Sequence, residues 1–134
     1  MCLIAASNRL TSHEDIIGYK VLVHKLNGRI VSPFYHYKYS KFNEVLTDYT
    51  DESVSYDGKQ IYITSGFFHA YVSLKHAIKI AKSINMCLVE DAYIYLVKIP
   101  ANTEYYIGRY GDICAKSIII TNKIVNNEQF SNIY

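Results

Sequence analysis

Residues Ile61 to Ala81 read IYITSGFFHAYVSLKHAIKIA, and the way this stretch divides decides the fold. Tyr62, Ile63 and Thr64 are β-branched or aromatic and suit a pleated, half-buried surface. Ser65-Gly66 breaks the run, glycine there permitting a turn at positive φ. Phe67, Phe68, Ala70 and Tyr71 form an apolar cluster interrupted by His69. Ser73 is placed to cap a helix, its hydroxyl accepting from an unpaired amide of the first turn. Leu74, Ala77, Ile78 and Ala81 follow at i, i+3, i+4 and i+7, with Lys75, Lys79 and Lys82 opposite. The stretch therefore predicts a strand, a glycine turn and one principal helix over about 73–84, with no spare residue between them.

The chain around it alternates like a sheet. In Gly18 to His24, Tyr19, Val21 and Val23 alternate with Lys20, Leu22 and His24. Asn27-Gly28 predicts a type I′ hairpin turn into a returning strand, Arg29 to Ser32, which Pro33 ends. In Phe34 to Phe42, Tyr35, Tyr37 and Tyr39 alternate with His36, Lys38 and Ser40. This reads as a strand with an aromatic face on the core; a stacking platform for single-stranded nucleic acid is the sharper alternative. Asn43 to Asp57 is polar and acidic and reads as a surface loop, its end (Ser53–Tyr56) turning through Asp57-Gly58 into a strand over Lys59–Thr64. Thr11 to Asp15 reads as a polar connector, with a single helical turn as the alternative.

Ala92 to Ile99 is apolar on both alternations, as a central strand would be. Thr103 to Ile107, the turn Gly108-Arg109-Tyr110-Gly111 and Ala115 to Thr121 complete the pattern. The expected fold is α+β: a twisted, mostly antiparallel sheet of five to seven strands with one helix on a face. It is one domain over 1–125 with a polar tail over 126–134.

The 134 residues are 50% hydrophobic, enough for a single core, and the formal charge of +2 is too mild to point to nucleic acid. With 14 tyrosines and no tryptophan, many rings are expected at the margin of the core, where a hydroxyl finds a partner. No apolar run approaches the ~18 residues of a membrane span. The N-terminus lacks the basic start of a signal peptide. Three widely spaced cysteines, Cys2, Cys87 and Cys114, fit reduced thiols, so a cytoplasmic location is expected. The histidines show neither HxH nor HExxH spacing, and no glycine-rich phosphate loop occurs, so neither metal nor cofactor is expected.

Several residues carry candidate chemistry. Cys2 behind Met1 invites an N-terminal nucleophile, against the simpler reading of a packed arm. His69, between strand and helix, is placed for general acid–base work, against a ring packed on Phe67 with its nitrogens on backbone. If His69 has a partner, the Gly108–Gly111 turn is the element to deliver Asp112 or Cys114 to it. Arg109 offers a planar fork to an anion, with Tyr110 beside it, against a turn arginine in solvent. Tyr35 and Tyr37 complete the ligand-binding candidates.

Met1-Cys2-Leu3, Gly18-Tyr19-Lys20-Val21, Gly66-Phe67-x-His69, Lys98-Ile99-Pro100 and Tyr105-Tyr106-x-Gly108 together resemble a family of small uncharacterised proteins of tailed phages and gut bacteria. The resemblance implies a compact α+β protein in a phage or prophage setting, working in the host cytosol, and brings no established activity. A more distant likeness is to the ADP-ribosyltransferase-like scaffold, with its strand ending in Ile99-Pro100 before a glycine turn. That likeness implies an early histidine, for which His24 or His36 stands. It also implies a glutamate opening the late strand, where this chain has Ala115-Lys116-Ser117. The expectation carried forward is a non-enzymatic binding protein contacting a host protein or a small anionic ligand. The alternatives are a small enzyme with a transferase-like or cysteine/histidine site, and a self-associating virion component.

Overall fold

The structure, a computed structural model, describes residues 3–33, 38–87 and 91–125. Cys2, Tyr35, His36, Tyr37 and the tail over 126–134 lie outside the described residues. In chain order the strands are β1 (Leu3–Ala5), β2 (Leu10–Thr11), β3 (Ile16–His24), β4 (Ile30–Val31), β5 (Lys38–Tyr39), β6 (Val45–Thr47), β7 (Ser53–Tyr56), β8 (Ile61–Ser65) and β9 (Phe68–Tyr71). Helix α1 (Leu74–Cys87) follows, then β10 (Ala92–Ile99), β11 (Glu104–Ile107), β12 (Asp112–Ala115) and β13 (Ser117–Ile124). Among the described residues no helix is long and apolar enough to cross a membrane.

The fold is α+β, antiparallel throughout, with one helix among the described residues. The main sheet runs β2-β11-β12-β9-β3-β10-β13-β6, with β4 and β5 attached to β3, and a small sheet runs β1-β8-β7. β10 pairs with β3 along its whole length, from Ala92↔Val23 to Ile99↔Ile16, and with β13 on its other edge. This central position explains why both its alternations are apolar. Ala92 and Ile94 pack under α1 with Ala77, Ile78, Ala81 and Ile84. Tyr95, Val97 and Ile99 face the other way, with Leu22, Ile113 and Ile120. Ile113 of β12 and Ile120 of β13 share this second cluster although three strands separate β12 from β13. At about 4.8 Å per strand a flat sheet would hold them far apart, so the sheet must curl around this cluster.

The helix starts as expected: the Ser73 hydroxyl accepts from the His76 amide at 3.2 Å. It runs on to Cys87, past the expected end, and the Asn85 side chain then accepts from the Ala92 amide at 2.7 Å.

Other expectations are corrected. Among the described residues there are thirteen strands in place of the five to seven read from sequence. The Gly66 turn leads into a strand, β9, before the helix, because Phe68 and Ala70 have a core face to fill opposite β12. The loop read over Asn43 to Asp57 contains β6, whose Val45 and Leu46 take the open edge of β13. Ala115 to Thr121 is two strands, since Lys116 breaks the run to donate its amide to Glu104 and its ammonium to the Gly66 carbonyl. At Asn27-Gly28 only the glycine has positive φ (82°), and its amide bonds to the Lys25 carbonyl. That is a type I turn with a glycine bulge in place of type I′. Thr11 to Asp15 forms no helical turn, and Thr11 ends β2. Among the described tyrosines, Tyr19, Tyr62, Tyr93 and Tyr105 sit at the margin as expected, while Tyr39, Tyr71, Tyr95 and Tyr106 go further and are buried. Tyr95 meets His24 at 2.6 Å and Tyr106 accepts from Arg9 at 3.2 Å, so their hydroxyls are satisfied inside.

Candidate functional site

The site arises from a fault in the sheet. One edge of β3 is taken by β10 over its length, and the other is shared by two short strands. β9 reaches it only at Tyr19↔Tyr71, and β4 only at Val23↔Val31 and His24↔Ile30. Among the described residues, Lys20, Val21 and Leu22 between them have no strand partner on that edge. The gap opens into a cavity of about 590 Å³ whose wall includes Lys20, Tyr39, Phe67, Phe68, His69 and Tyr71. That volume suits a small organic ligand.

Loop residues Asp48, Tyr49 and Thr50 form a further wall. Asp48 folds this loop on itself, accepting the Thr50 amide at 2.9 Å. Ser65 donates to the Asp51 carbonyl at 2.8 Å, and Glu52 pairs with Arg9. Phe67 is held between two cations, the Arg9 guanidinium 5.3 Å and the Lys116 ammonium 5.4 Å from its ring centre. The aromatic edge of the cavity is thus braced from outside it.

Lys20 is the unusual group. The sequence sets it with Leu22 and His24 on one alternation of β3, and it is only 7% exposed, because the curled sheet buries the Leu22 face as well as the Val21 face. Its ammonium donates to the His69 carbonyl, which the parting of β9 from β3 leaves across the gap, and lies 5.6 Å from the centre of the Tyr39 ring. Among the described residues no carboxylate lies within ion-pair distance of it. Burial without a counter-charge pushes its pKa down to about 8. The sequence held one signal for this site: a lysine two residues before a leucine, on one face of a strand that proves to be covered on both.

The structure brings two of the sequence candidates together. His69 and Asp112 sit on the paired strands β9 and β12, and the His69 Nε2 lies 3.1 Å from the Asp112 carboxylate. Both side chains are mostly buried. Burial holds the imidazole pKa below its ordinary value, although the Asp112 hydrogen bond works the other way. Burial pushes the Asp112 carboxyl up, but the His69 hydrogen bond and charge and the Tyr110 amide outweigh it and hold it low. The pair is therefore a neutral imidazole donating Nε2–H to a carboxylate, which leaves Nδ1 as the basic nitrogen. Tyr71, edge-on to His69 at 5.0 Å, is pushed up to about 12 by burial and by the Asp112 charge, so it stays protonated.

Replacing Asp112 by asparagine is expected to lower the His69 pKa further, because the burial penalty and the repulsion from the Lys20 charge then act without the opposing carboxylate. Ring-proton NMR titration checks this. The same linkage sets a stability profile. His69 resists protonation when folded, so stability falls as pH drops below its ordinary 6.5, where the unfolded chain takes the proton. The Asp112 contribution is present above the ordinary carboxylate value of 3.8 and is lost as pH falls through its lower folded value.

The remaining candidates lie elsewhere. Cys114 is the register partner of His69 but is buried, and burial pushes its thiol up to about 12, so it carries no thiolate at neutral pH. Arg109 and Tyr110 are exposed on the turn after β11 and line no part of the cavity. Cys2, Tyr35 and Tyr37 lie outside the described residues. Comparison with family models, with curated proteins and with solved structures found no match to this chain.

Proposed function

We propose that the chain is a non-enzymatic binding protein for a small anionic ligand with a flat, apolar body, held in the cavity between β3 and β9. The observation that carries this reading is the buried Lys20 ammonium on the cavity wall, with no carboxylate paired to it among the described residues. Burying an unpaired charge is costly, and a ligand carboxylate arriving beside it would supply the missing counter-charge in a low-dielectric setting. The rings of Tyr39, Phe67, Phe68 and Tyr71 offer a planar body the apolar surface that such ligands bury. The binding site is then the cavity, and the exposed Arg109 turn is not needed for it.

Calorimetric titration tests the reading with 3-phenylpropanoate and its uncharged amide. The acid is expected to bind at least tenfold more tightly than the amide at pH 7. Its affinity should fall about tenfold per pH unit well above pH 8, as Lys20 loses its proton. The other titratable groups on the wall are His69, Asp48 and the tyrosines Tyr39, Tyr49 and Tyr71. His69 is held below its ordinary value and so titrates below that range, and Tyr71, pushed up to about 12, titrates above it. Equal affinity for acid and amide would remove the proposal.

A second reading, a small enzyme, draws on the His69–Asp112 pair alone. It gains support only if the cavity holds an electrophile within reach of His69.

A further inference from the structure

Resting on the anion-binding reading of the cavity, we infer that Lys20 forms a reversible imine with the carbonyl carbon of a 2-oxo acid. Three observations lead there. The Lys20 amine is the one Lys or Arg nitrogen among the described residues lining the cavity, so one atom has to meet both the electrophile and the negative charge. A ligand satisfies both demands when its carbonyl and carboxylate are adjacent, which defines a 2-oxo acid. The aromatic wall sets its remaining part as a planar apolar substituent. Finally, His69 lines the same cavity with Nε2 committed to Asp112, and Nδ1 remains to carry a proton between amine and departing oxygen.

The step balances without any co-reactant. The Lys20 ammonium first gives one proton to His69 Nδ1; the neutral amine then attacks the carbonyl carbon, a C–N bond forms as the C=O π bond breaks, and the oxygen takes that proton from His69 to become the hydroxyl of a carbinolamine. His69 then takes the second proton lost by nitrogen and gives it to that hydroxyl. The C–O bond breaks and water leaves. Overall, ammonium plus carbonyl gives iminium plus water, so the positive charge stays in the cavity beside the ligand carboxylate. A lysine with a pKa of about 8 is roughly one-tenth neutral at pH 7, against well under one-hundredth for an ordinary lysine.

The test treats the full chain with phenylpyruvate and sodium borohydride, followed by peptide mass mapping. The parallel probe is 3-phenylpropanoate, which has the same ring and carboxylate but no carbonyl. Reduction should fix the mass of phenylpyruvate less one oxygen on Lys20 at a level well above any other lysine. Lys20→Arg keeps the positive charge and should bind 3-phenylpropanoate yet give no adduct at position 20. The wild-type map reads the outcome even if that variant folds poorly. Both acids binding with no adduct on Lys20, or with adducts spread evenly over surface lysines, would overturn the imine and leave the anion site standing. Neither acid binding would remove both.

Discussion

Lys20→Met is expected to yield a more stable protein that no longer binds anions. Methionine has nearly the shape of the lysine stem and no charge to desolvate. The drop from the ordinary 10.5 to about 8 corresponds to roughly 3 kcal/mol of penalty on the charged form. Loss of the bond to the His69 carbonyl and of the Tyr39 contact returns about 1–2 kcal/mol. A net gain of about 1–2 kcal/mol should therefore appear in urea unfolding at pH 7. The sign has a pH signature. Below about 8 both folded and unfolded lysines are protonated and the full penalty operates. From 8 to 10.5 the folded protein sheds its proton first and the penalty fades, so the advantage of Lys20→Met over wild type should shrink across that range. Affinity for 3-phenylpropanoate should fall at least tenfold in the variant. A variant less stable than wild type at pH 7 would mean that Lys20 is there to hold the sheet together, and the ligand reading would lose its main support.

Gly108→Ala is expected to cost about 2–4 kcal/mol, among the largest effects of any single methyl group in this chain. A Cβ at that position would stand 2.0 Å from a carboxylate oxygen of Asp112 and 3.1 Å from the Leu3 side chain. Asp112 is mostly buried and already engaged by His69 and by the Tyr110 amide, so it has little room to retreat. Pushing it aside would also strip His69 of its carboxylate, and the His69 pKa should fall as in Asp112→Asn. A double-mutant cycle separates the clash from general strain. With Asp112→Ala present the obstructing carboxylate is gone, and Gly108→Ala should then cost much less. Fully additive costs would show that the Gly108 turn fails for another reason. Chemical denaturation of the four proteins gives the cycle.

The distinction between what was legible in the chain and what was not follows from the range of the forces involved. Helix α1 was readable because its cap and its apolar stripe lie within fourteen residues of one another; the Ser73 hydroxyl and the Ala77, Ile78, Ala81 face needed no distant partner to be recognised. β3 and β10 were readable as strands for the same reason, and so was the Asp57-Gly58 turn. The β6, β9 and β12 strands were hidden because each is only three or four residues long. Their pairing depends on edges offered by residues far along the chain.

The candidate site divides in the same way. The turn that precedes Asp112 points it or Cys114 toward His69, but the 3.1 Å contact with Asp112 is made by the β9–β12 ladder. In the chain Lys20 is one position of an alternating strand, beside Leu22, with nothing local to mark it as enclosed. By itself, the sequence determined an antiparallel sheet under one capped helix, since those patterns are set by local stereochemistry and apolar periodicity. Only the tertiary structure decided that β4 and β9 would share one edge of β3 without meeting, and that the curled sheet would enclose a lysine there. Strand competition for an edge is a non-local contest, and burial of a charge is known only once the walls around it are in place.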